Sequence, residues 1–540
     1  MNQETKRNYQ LNRDKFLKEV SETSLWDFVV IGGGATGLGV ALDAASRGFK
    51  TLLLEQHDFA KGTSSRSTKL VHGGVRYLAQ GNIRLVLEAL RERGRLQRNA
   101  PHLVQEQSFV IPCYTILDKL FYGLGLKMYD WLAGSYRFPK TAWLSPSQVL
   151  KLLPTIKGIK LQGGIEYFDG QFDDARLAIN LAQTCAEQGG TLLNYIKVTS
   201  LLKDEAGKVS GVKALDVESN QVFSLKSKVI INATGVFVNE IMQLDTPGAA
   251  PLVRYSQGVH LVLDKTFLPG ASALMIPKTP DGRVLFAVPW HEHLLVGTTD
   301  TPIEENNLEP IALDAEIKFI LETAGQYLVR KPTRSNVLSV FAGLRPLAVP
   351  NHHSNSTKEI SRSHKLVVTS SGLITITGGK WTTYRQMAED TVTAALLAGG
   401  LPAQKCVTAG LKIHGSGKLA ADNDPLKIYG SDAPEIRKLA EKELGLGQKL
   451  HEKFPYIIAE VIWVIRYEMA RTVEDVLARR LRLLFLDARA AMAVAPKVAR
   501  ILAAELGHDA DWIQKQEREF AQVANNYRLT PERFTISDSY

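Results

Sequence analysis

Cysteine is scarce in this chain of 540 residues, where Cys113, Cys185 and Cys406 lie far apart. No CxxC pair occurs, and no cysteine clusters with histidine. This argues against zinc and iron–sulfur sites and against a disulfide scaffold. We therefore expect no metal centre and a protein of a reducing compartment.

Long apolar runs are also missing. The longest stretch without a charged residue, Phe28–Leu42, is rich in glycine and too short to span a bilayer as a helix. The first 24 residues are polar and charged, without the apolar core of a signal peptide. We expect no transmembrane helix and a cytoplasmic location, which leaves attachment to a membrane surface open.

The composition is that of a soluble globular protein, with 45% hydrophobic and 22% charged residues. Its length predicts about three or four domain-sized units. The net charge of +9 excludes an acidic disordered protein and is compatible with an anionic substrate, a lipid surface or nucleic acid. The basic stretch Arg471–Arg489 has no helix-turn-helix, zinc finger or aromatic platform beside it, so we expect no nucleic-acid partner.

A strand–helix–strand unit stands near the start of the chain. Trp26–Ile31 is typical of a buried parallel strand, Ala35–Arg47 of a helix and Lys50–Glu55 of a second strand. Such a unit of about thirty residues is a βαβ motif.

A glycine-rich loop joins the first strand of this unit to its helix. Gly32, Gly34 and Gly37 form a GxGxxG pattern, in which the glycines permit a tight turn, the approach of a pyrophosphate and close helix–strand packing. Glu55, at the end of the second strand, is placed to accept hydrogen bonds from a ribose diol. The pattern predicts a dinucleotide site; the alternative is a turn of purely structural use.

Two later segments favour FAD over NAD. Thr234-Gly235 follows a buried strand, Lys228–Ala233, and Gly378-Gly379 precedes a helix, Thr382–Ala398. A long cofactor such as FAD is enclosed by segments that are distant in the sequence and needs both of these. A single-fold NAD dehydrogenase does not need the second one. Lys380 and the amides of the turn would stabilise negative charge on a reduced flavin.

Further along, the pattern of the sequence changes twice. Short alternating strands from Pro251 to about Arg345 predict an inserted antiparallel sheet, and helical periodicity prevails after about residue 400. The expected division is an N-terminal tail (1–24), a discontinuous FAD-binding domain (25–100, 165–245 and 365–400), a substrate-binding domain (101–164 and 246–364) and an all-α C-terminal domain (405–540).

The most specific segment is Gly62–Leu78, which reads GTSSRSTKLVHGGVRYL. It is similar to the signature of FAD-dependent, aerobic-type glycerol-3-phosphate dehydrogenases. Other similar blocks follow in order: Ala233–Gly235, Gln257–His260, Pro289-Trp290, Gly297–Pro302, Ala342–Leu347, Thr377–Arg385 and Glu468–Arg480.

This resemblance implies an α/β fold: a Rossmann-like FAD-binding domain of the D-amino-acid-oxidase type, an inserted mainly antiparallel substrate domain and a helical domain. It implies oxidation of sn-glycerol 3-phosphate to dihydroxyacetone phosphate, with electrons passed through non-covalently bound FAD to a quinone at the inner face of the cell membrane. A homodimer is compatible with the sequence.

The resemblance also implies which residues contact the cofactor. They are Gly32, Gly34, Ala35, Thr36, Gly37, Glu55, Thr63, Ser64, Ser65, Thr68, Lys69, Leu70, His72, Val198, Ala233, Thr234, Gly235, Gly343, Gly379, Lys380, Trp381 and Thr382.

A phosphate dianion requires fixed positive charge and forked donors in its pocket. By resemblance, Arg345, Arg362 and Lys380 are the main candidates, and Arg76 and Tyr77 join them from the flavin side. The alternative for any one arginine is a solvated surface position.

Oxidation at C2 also requires a base for the hydroxyl proton, a task that suits histidine near neutral pH. We favour His260 as the base, with His72 orienting or lining the flavin. Each histidine can instead be a core residue with satisfied hydrogen bonds. Arg345 is a candidate for stabilising the developing alkoxide.

Ile116–Tyr136 combines many large apolar residues with Lys119 and Lys127. It predicts an amphipathic helix pair that lies on lipid, where lysines meet anionic head groups. The alternative is a core helix of the substrate domain.

Competing functions share part of this pattern. A glycerol-3-phosphate oxidase that produces hydrogen peroxide has the same motifs, but the extra internal segment of such oxidases is missing between Thr299 and Arg345. The basic residues argue against an amine or amino-acid oxidase. A flavin-binding protein without turnover is disfavoured by the joint presence of both histidines, Arg345 and Lys380.

Overall fold

A computed structural model describes residues 11–75, 78, 81–279, 282–349, 364–417, 421, 423–442 and 444–529. The strands are β1 (Trp26–Ile31), β2 (Thr51–Leu54), β3 (Leu70–Val71), β4 (Gln105–Cys113), β5 (Ala142–Leu144), β6 (Gly163–Gln171), β7 (Thr191–Leu193), β8 (Ile196–Lys203), β9 (Val209–Asp216), β10 (Val222–Asn232), β11 (Val253–Asp264), β12 (Ala273–Ile276), β13 (Leu285–Trp290), β14 (His293–Gly297), β15 (Thr301–Ile303), β16 (Val337–Ala348), β17 (His364–Val368) and β18 (Ile374–Gly378).

The α-helices are α1 (Arg13–Glu22), α2 (Ala35–Ser46), α3 (Ile83–Asn99), α4 (Ile116–Ala133), α5 (Pro146–Leu152), α6 (Asp174–Glu187), α7 (Val238–Asp245), α8 (Asp314–Tyr327), α9 (Tyr384–Ala398), α10 (Ala433–Lys442), α11 (Ile458–Tyr467), α12 (Leu483–Leu486), α13 (Ala488–Leu506) and α14 (Ala510–Asn525). A π-helical turn, Asp475–Arg480, precedes α12. None of the helices in the described part of the chain is both long and apolar enough to cross a membrane.

The first sheet has a parallel centre. Its order is β7-β2-β1-β10-β18, all parallel, with β17 antiparallel at the edge and a meander of β8, β9 and β10 beside it. β1 and β2 are buried on both faces, which explains their continuous apolar sequences. The predicted βαβ unit is confirmed, because β1, α2 and β2 lie where the sequence places them.

The second sheet is mainly antiparallel and holds the long pair β11 and β16. It also takes β3 and β6, because β4 pairs with β6 along its whole length and β3 pairs with the end of β6. The expected boundary near residue 165 therefore falls inside a strand of this sheet, and residues 70–71 belong to the same sheet.

The C-terminal part of the described chain is helical, as expected. Its core includes Trp290 and Phe341 of the second sheet, so the helical domain packs directly against that sheet. The expected N-terminal tail is partly a helix, since α1 buries Phe16 and Val20.

The predicted helix pair at Ile116–Tyr136 is wrong in one respect: it is one helix, α4, followed by a short 3₁₀ turn. The two internal glycines do not end the helix. Gly123 instead provides the space for the ring of Trp143, which a Cβ at Gly123 would approach to 2.2 Å.

Candidate active site

The glycine loop after β1 forms one end of a cavity of about 190 Å³. At its base the loop packs tightly on α2, since a Cβ at Gly37 would stand 1.9 Å from the carbonyl oxygen of Gly32. Gly32 has φ of +108°, and a Cβ there would stand 2.8 Å from the carbonyl oxygen of Ala233. This close approach accounts for the glycines and leaves the loop amides at a helix N-terminus, where an anion is favoured.

Glu55 lines the same cavity at the end of β2. Its carboxylate accepts hydrogen bonds from the backbone amides of Gly33, at 2.6 Å, and His57, at 2.8 Å. Burial raises the pKa of Glu55, although these two amides oppose the shift. The carboxylate is thus held rigidly at the cavity wall, and its further lone pairs can accept hydrogen bonds from a diol.

A second cavity, of about 320 Å³, lies against the first. Both are lined by Thr63, Pro346 and the turn Gly378–Trp381. The two together match a cofactor with a nucleotide end and a ring end, which is how FAD differs from a single nucleotide. The residues therefore fit an extended FAD, with its ring system at the Gly378–Trp381 turn.

The loop that follows β2 connects the two cavities. The amide of Ala35 donates to the hydroxyl of Ser64 at 2.9 Å, and the indole nitrogen of Trp381 donates to the carbonyl of Ser64 at 2.8 Å. The hydroxyl of Thr63 donates to the carbonyl of Leu344 at 2.6 Å. One loop thus joins the glycine turn, the late Gly-Gly-Lys turn and the second sheet.

His260 lies in β11 and lines the second cavity while being 2% exposed. Its Nε2 is 2.9 Å from the hydroxyl of Thr68, and its ring stacks on Phe341 with centroids 5.0 Å apart. Burial lowers the pKa of His260 well below its usual value, and the charges of Lys69 and Arg345 act in the same direction. The imidazole is therefore neutral at pH 7 and able to accept a proton.

Arg345, in β16, places a guanidinium at the same cavity. Its Nη2 donates to the hydroxyl of Thr298 at 3.1 Å and to the carbonyl of Thr299 at 3.0 Å. Its Nη1 lies 3.2 Å from a carboxylate oxygen of Asp300. These contacts fix the plane of the guanidinium and place a positive charge at the wall of the cavity.

Behind Arg345, buried polar residues hold the loop after β14. Glu316 accepts hydrogen bonds from the hydroxyls of Thr299, at 2.8 Å, and Thr301, at 2.6 Å. Asp300 also accepts from the hydroxyl of Ser256. The sequence reasoning missed Asp300 and Glu316 as parts of the site, although Asp300 stands within one of the similar blocks.

The wall opposite these polar groups is apolar. It includes Phe109, Tyr167, Met275 and Phe286, from four strands of the second sheet. No motif in the sequence singles these residues out, because they are ordinary apolar positions of strands.

The described residues expected at the site fall into three groups by position. The first cavity is lined by Gly32, Gly34, Ala35, Thr36, Glu55, Ser64, Val198, Ala233, Thr234 and Gly235. The second is lined by Thr68, Leu70, His72, His260, Gly343, Arg345 and Thr382. Thr63, Gly379, Lys380 and Trp381 line both.

Three expected cofactor residues, Gly37, Ser65 and Lys69, line neither cavity. Gly37 packs against the loop, whereas the ammonium of Lys69 is fully buried at 2.7 Å from both Asp174 and the carbonyl of Ser65. Arg76, Tyr77 and Arg362 lie outside the described residues, so their expected roles stay predictions.

Comparison with known protein families gives two matches. The family described as FAD dependent oxidoreductase matches residues 27–385. The family described as the C-terminal domain of alpha-glycerophosphate oxidase matches residues 374–513. Together they extend from the βαβ unit into the helical domain.

Curated relatives match over nearly the whole chain. The mitochondrial glycerol-3-phosphate dehydrogenase of Rattus norvegicus is 40% identical over 550 residues, which cover 96% of this chain and 75% of that protein. The protein of the same name from Homo sapiens is also 40% identical, over 97% of this chain and 77% of its own length.

Solved structures show the same architecture. The glycerol-3-phosphate dehydrogenase from Bacillus halodurans, complexed with FAD, has a TM-score of 0.78 at 29% identity and covers 96% of this chain and 99% of its own. The L-alpha-glycerophosphate oxidase from Mycoplasma pneumoniae, with FAD bound, has a TM-score of 0.53 at 17% identity over 72% of this chain and 98% of its own. The latter likeness shows the fold alone. The predicted fold class is confirmed by these matches.

Proposed function

This chain belongs to the family of FAD-dependent glycerol-3-phosphate dehydrogenases, and from that membership we propose that it oxidises sn-glycerol 3-phosphate to dihydroxyacetone phosphate and passes the electrons to a membrane quinone. The cofactor is FAD. One observation carries the proposal: a neutral, buried His260 and the guanidinium of Arg345 face the cavity that the Gly378–Trp381 turn closes.

FAD would be held by the glycine loop and Glu55 at its nucleotide end and by the Gly378–Trp381 turn at its ring end. When bound, it supplies an acceptor for the hydride from C2. The amides before α9 lie at a helix N-terminus, where backbone N–H groups favour negative charge.

The substrate phosphate requires cations. Arg345 and Lys380 both line the second cavity, and we assign the phosphate dianion to them, with Arg362, Arg76 and Tyr77 as further candidates from the sequence. The fixed guanidinium of Arg345 provides a positive charge that does not titrate, and Lys380 adds a second point charge.

His260 takes the proton of the C2 hydroxyl in this proposal. A neutral imidazole is the form that accepts a proton, and the low pKa of His260 keeps it in that form near pH 7. His72 lines the same cavity and is assigned a role in orienting the ring end of the cofactor or the substrate.

Two features support a quinone as the acceptor. The wall formed by Phe109, Tyr167, Met275 and Phe286 suits an apolar ring better than a charged triose. The outer face of α4 carries exposed apolar residues, which suit contact with lipid. We propose that the protein is cytoplasmic and binds peripherally to the inner face of the cell membrane; the homodimer stays a prediction.

A second candidate function is reduction of oxygen to hydrogen peroxide. It is favoured by the match of residues 374–513 to a domain described in alpha-glycerophosphate oxidase. Both functions share the first half of the reaction, so they differ only in the acceptor.

The test separates the two halves. In the absence of oxygen, glycerol 3-phosphate is expected to bleach the flavin absorbance of the purified protein, whereas glycerol is not, because it lacks the phosphate. Reoxidation is then followed with a short-chain quinone or with air. Fast reoxidation by quinone with little peroxide supports the dehydrogenase, peroxide at every turnover supports the oxidase, and an unbleached flavin would refute both.

A further inference from the structure

The short helix α12 of the C-terminal domain lies behind both side chains that hold His260. We propose that Arg482, which immediately precedes α12, and Phe485, which lies within α12, are positioning residues that set the geometry of His260. The inference rests on the proposed function, since it gives the helical domain a part in the proton-transfer step. The two routes from α12 to His260 run through different residues.

The first route runs through the loop that carries Thr68. The carboxylate of Asp174 accepts hydrogen bonds from the amide of Ser67 at 3.0 Å, from the hydroxyl of Ser67 at 2.7 Å and from the ammonium of Lys69 at 2.7 Å. These contacts hold the residues on both sides of Thr68, whose hydroxyl is 2.9 Å from Nε2 of His260. Asp174 thus fixes the backbone from which Thr68 reaches the imidazole.

Arg482 completes this route from the helical domain. Its Nη2 donates to Asp174 at 3.0 Å and to the carbonyl of Ser65 at 2.9 Å. Arg482 is 1% exposed and Asp174 is fully buried, so the ion pair is shielded from water and from salt. Because a single guanidinium joins the carboxylate and the loop, a shift of Arg482 is transmitted to Thr68.

The second route runs through aromatic rings. Phe341 stacks on the imidazole of His260. It also makes an edge-to-face contact with the ring of Phe485, with centroids 4.8 Å apart. The ammonium of Lys69 lies 5.1 Å from the ring centroid of Phe341 and 5.3 Å from that of Phe485. The imidazole is therefore held at Nε2 by Thr68 and at its face by Phe341, and α12 lies behind both.

Other buried ion pairs also join the helical domain to the rest of the chain. Arg479 and Arg480 pair with Asp58, and Arg176 pairs with Glu468. The described contacts of these pairs do not include Thr68 or Phe341. Phe485, in contrast, contacts Phe341 directly, and Arg482 bonds the residues that hold the loop of Thr68.

A double-mutant cycle tests the second route. Phe485→Leu is made in the wild type and in a His260→Gln background, and the rate of anaerobic flavin bleaching by glycerol 3-phosphate is measured by stopped flow. We expect Phe485→Leu to slow bleaching about tenfold or more in the wild type, because small displacements of a reacting group have large effects on rate. With His260 replaced, the same change is expected to alter the rate less than about twofold, because coupled residues are not additive.

The matched control is Phe520→Leu. Phe520 is 2% exposed in the same helical core, so Phe520→Leu causes the same loss of volume. Among the described residues, Phe520 makes no ring contact with Phe341. We expect it to lower the thermal midpoint as Phe485→Leu does, and to leave the bleaching rate unchanged in both backgrounds.

The first route has a readout that requires no turnover. Arg482→Met keeps an unbranched side chain but removes the charge and every donor, so the contacts of Arg482 with Asp174 and Ser65 are both lost. Hydrogen–deuterium exchange of the FAD-loaded protein is expected to rise in peptides that cover residues 65–72 and to stay unchanged with Phe520→Leu.

The outcomes are distinct. If Phe485→Leu slows bleaching by the same factor with and without His260, and residues 65–72 keep their protection in Arg482→Met, the positioning role is refuted while the proposed function stands. If glycerol 3-phosphate fails to bleach the wild-type flavin, the proposed function fails, and the positioning role in that reaction falls with it.

Discussion

Arg345 illustrates how closely single residues are fitted at the candidate site. Its Nη2 would stand 2.2 Å from a Cβ at Gly258, which lies two residues along β11 from the register partner of Arg345, and the hydroxyl of Thr298 would stand 2.8 Å from the same atom. Real side chains do not approach so closely, so any larger residue at Gly258 must push the guanidinium away. The glycine is therefore required by the position of Arg345.

Gly258→Ala tests this dependence. We expect kcat/KM for glycerol 3-phosphate to fall about 100-fold, because a displacement of about 1 Å at a positioned group has an effect of that size, while the FAD content stays near that of the wild type. Gly410→Ala is the control, since no atom lies within 4 Å of a Cβ built at Gly410. A Gly258→Ala enzyme with the kinetics of the wild type would show that Arg345 does not bind substrate in this position.

At the scale of elements, local order in the sequence decides what can be predicted. β1, α2 and β2 were predictable because a buried strand, a glycine loop and a helix succeed one another within thirty residues. The placement of β3 and β6 in the second sheet was not predictable. β6 lies between β4, which is formed by residues 105–113, and β3, and nothing in the sequence of these segments indicates that they pair. Pairing between distant strands depends on the whole fold.

The exposed face of α4 is a second feature that the sequence left open. Seven large apolar residues of this helix are exposed: Ile116, Leu117, Leu120, Phe121, Leu124, Met128 and Trp131. The buried face has Gly123, Leu126 and Tyr129. Both faces of α4 are apolar, so the sequence alone does not say which of them packs inward. A contiguous apolar patch of this kind on a surface marks a site of interaction.

Vesicle flotation tests lipid as the partner of α4. We expect the wild type to float with vesicles that contain anionic phospholipid, and the double variant Leu120→Glu/Phe121→Glu to stay in the dense fraction, because two carboxylates oppose both the apolar and the electrostatic attraction. Its bleaching by glycerol 3-phosphate should be unchanged.

The control for this variant carries the same charges elsewhere. Val222 and Leu397 are single exposed apolar residues, 62% and 83% accessible, and Val222→Glu/Leu397→Glu should float as the wild type does. Equal flotation of all three proteins would remove α4 from membrane binding. A change in oligomeric state of the α4 variant in size-exclusion chromatography would instead identify the face as a contact between copies of the chain.

At the scale of the whole molecule, the candidate site is assembled from segments hundreds of residues apart. The motifs of the sequence include His260 and Arg345, but His260 is supported by residues of four separate regions: Thr68, Asp174, Phe341 and Arg482. The basic stretch Arg471–Arg489 shows the same dependence. Arg479, Arg480 and Arg482 are buried, and each pairs with a carboxylate outside the helical domain, Asp58 or Asp174.

The segment between the FAD-binding and helical domains is also held by residues that are distant in the sequence. The contacts of its histidine depend on pH. His414 lies between two carboxylates: Nδ1 is 2.6 Å from Glu187 at the end of α6, and Nε2 is 2.7 Å from Asp432 just before α10. Burial alone would lower the pKa of His414, but the two carboxylates outweigh it and raise the pKa to about 10. The imidazolium thus links both domains to the segment between them.

The raised pKa of His414 sets the sign of a pH dependence. Its stabilising effect is complete below the unfolded pKa of about 6.5 and is lost as the pH rises towards 10, because only the folded protein then still holds the proton. We expect His414→Gln to lower the thermal midpoint most at pH 6 and progressively less at pH 8 and pH 10, with FAD content held equal by added cofactor. His508→Gln, at an exposed histidine of the helical domain whose pKa is lowered by burial, should not lower the thermal midpoint more at pH 6 than at pH 10. A difference between wild type and His414→Gln that is constant from pH 6 to pH 10 would mean that His414 is neutral in the folded protein and that the two carboxylates do not act as its ion-pair partners.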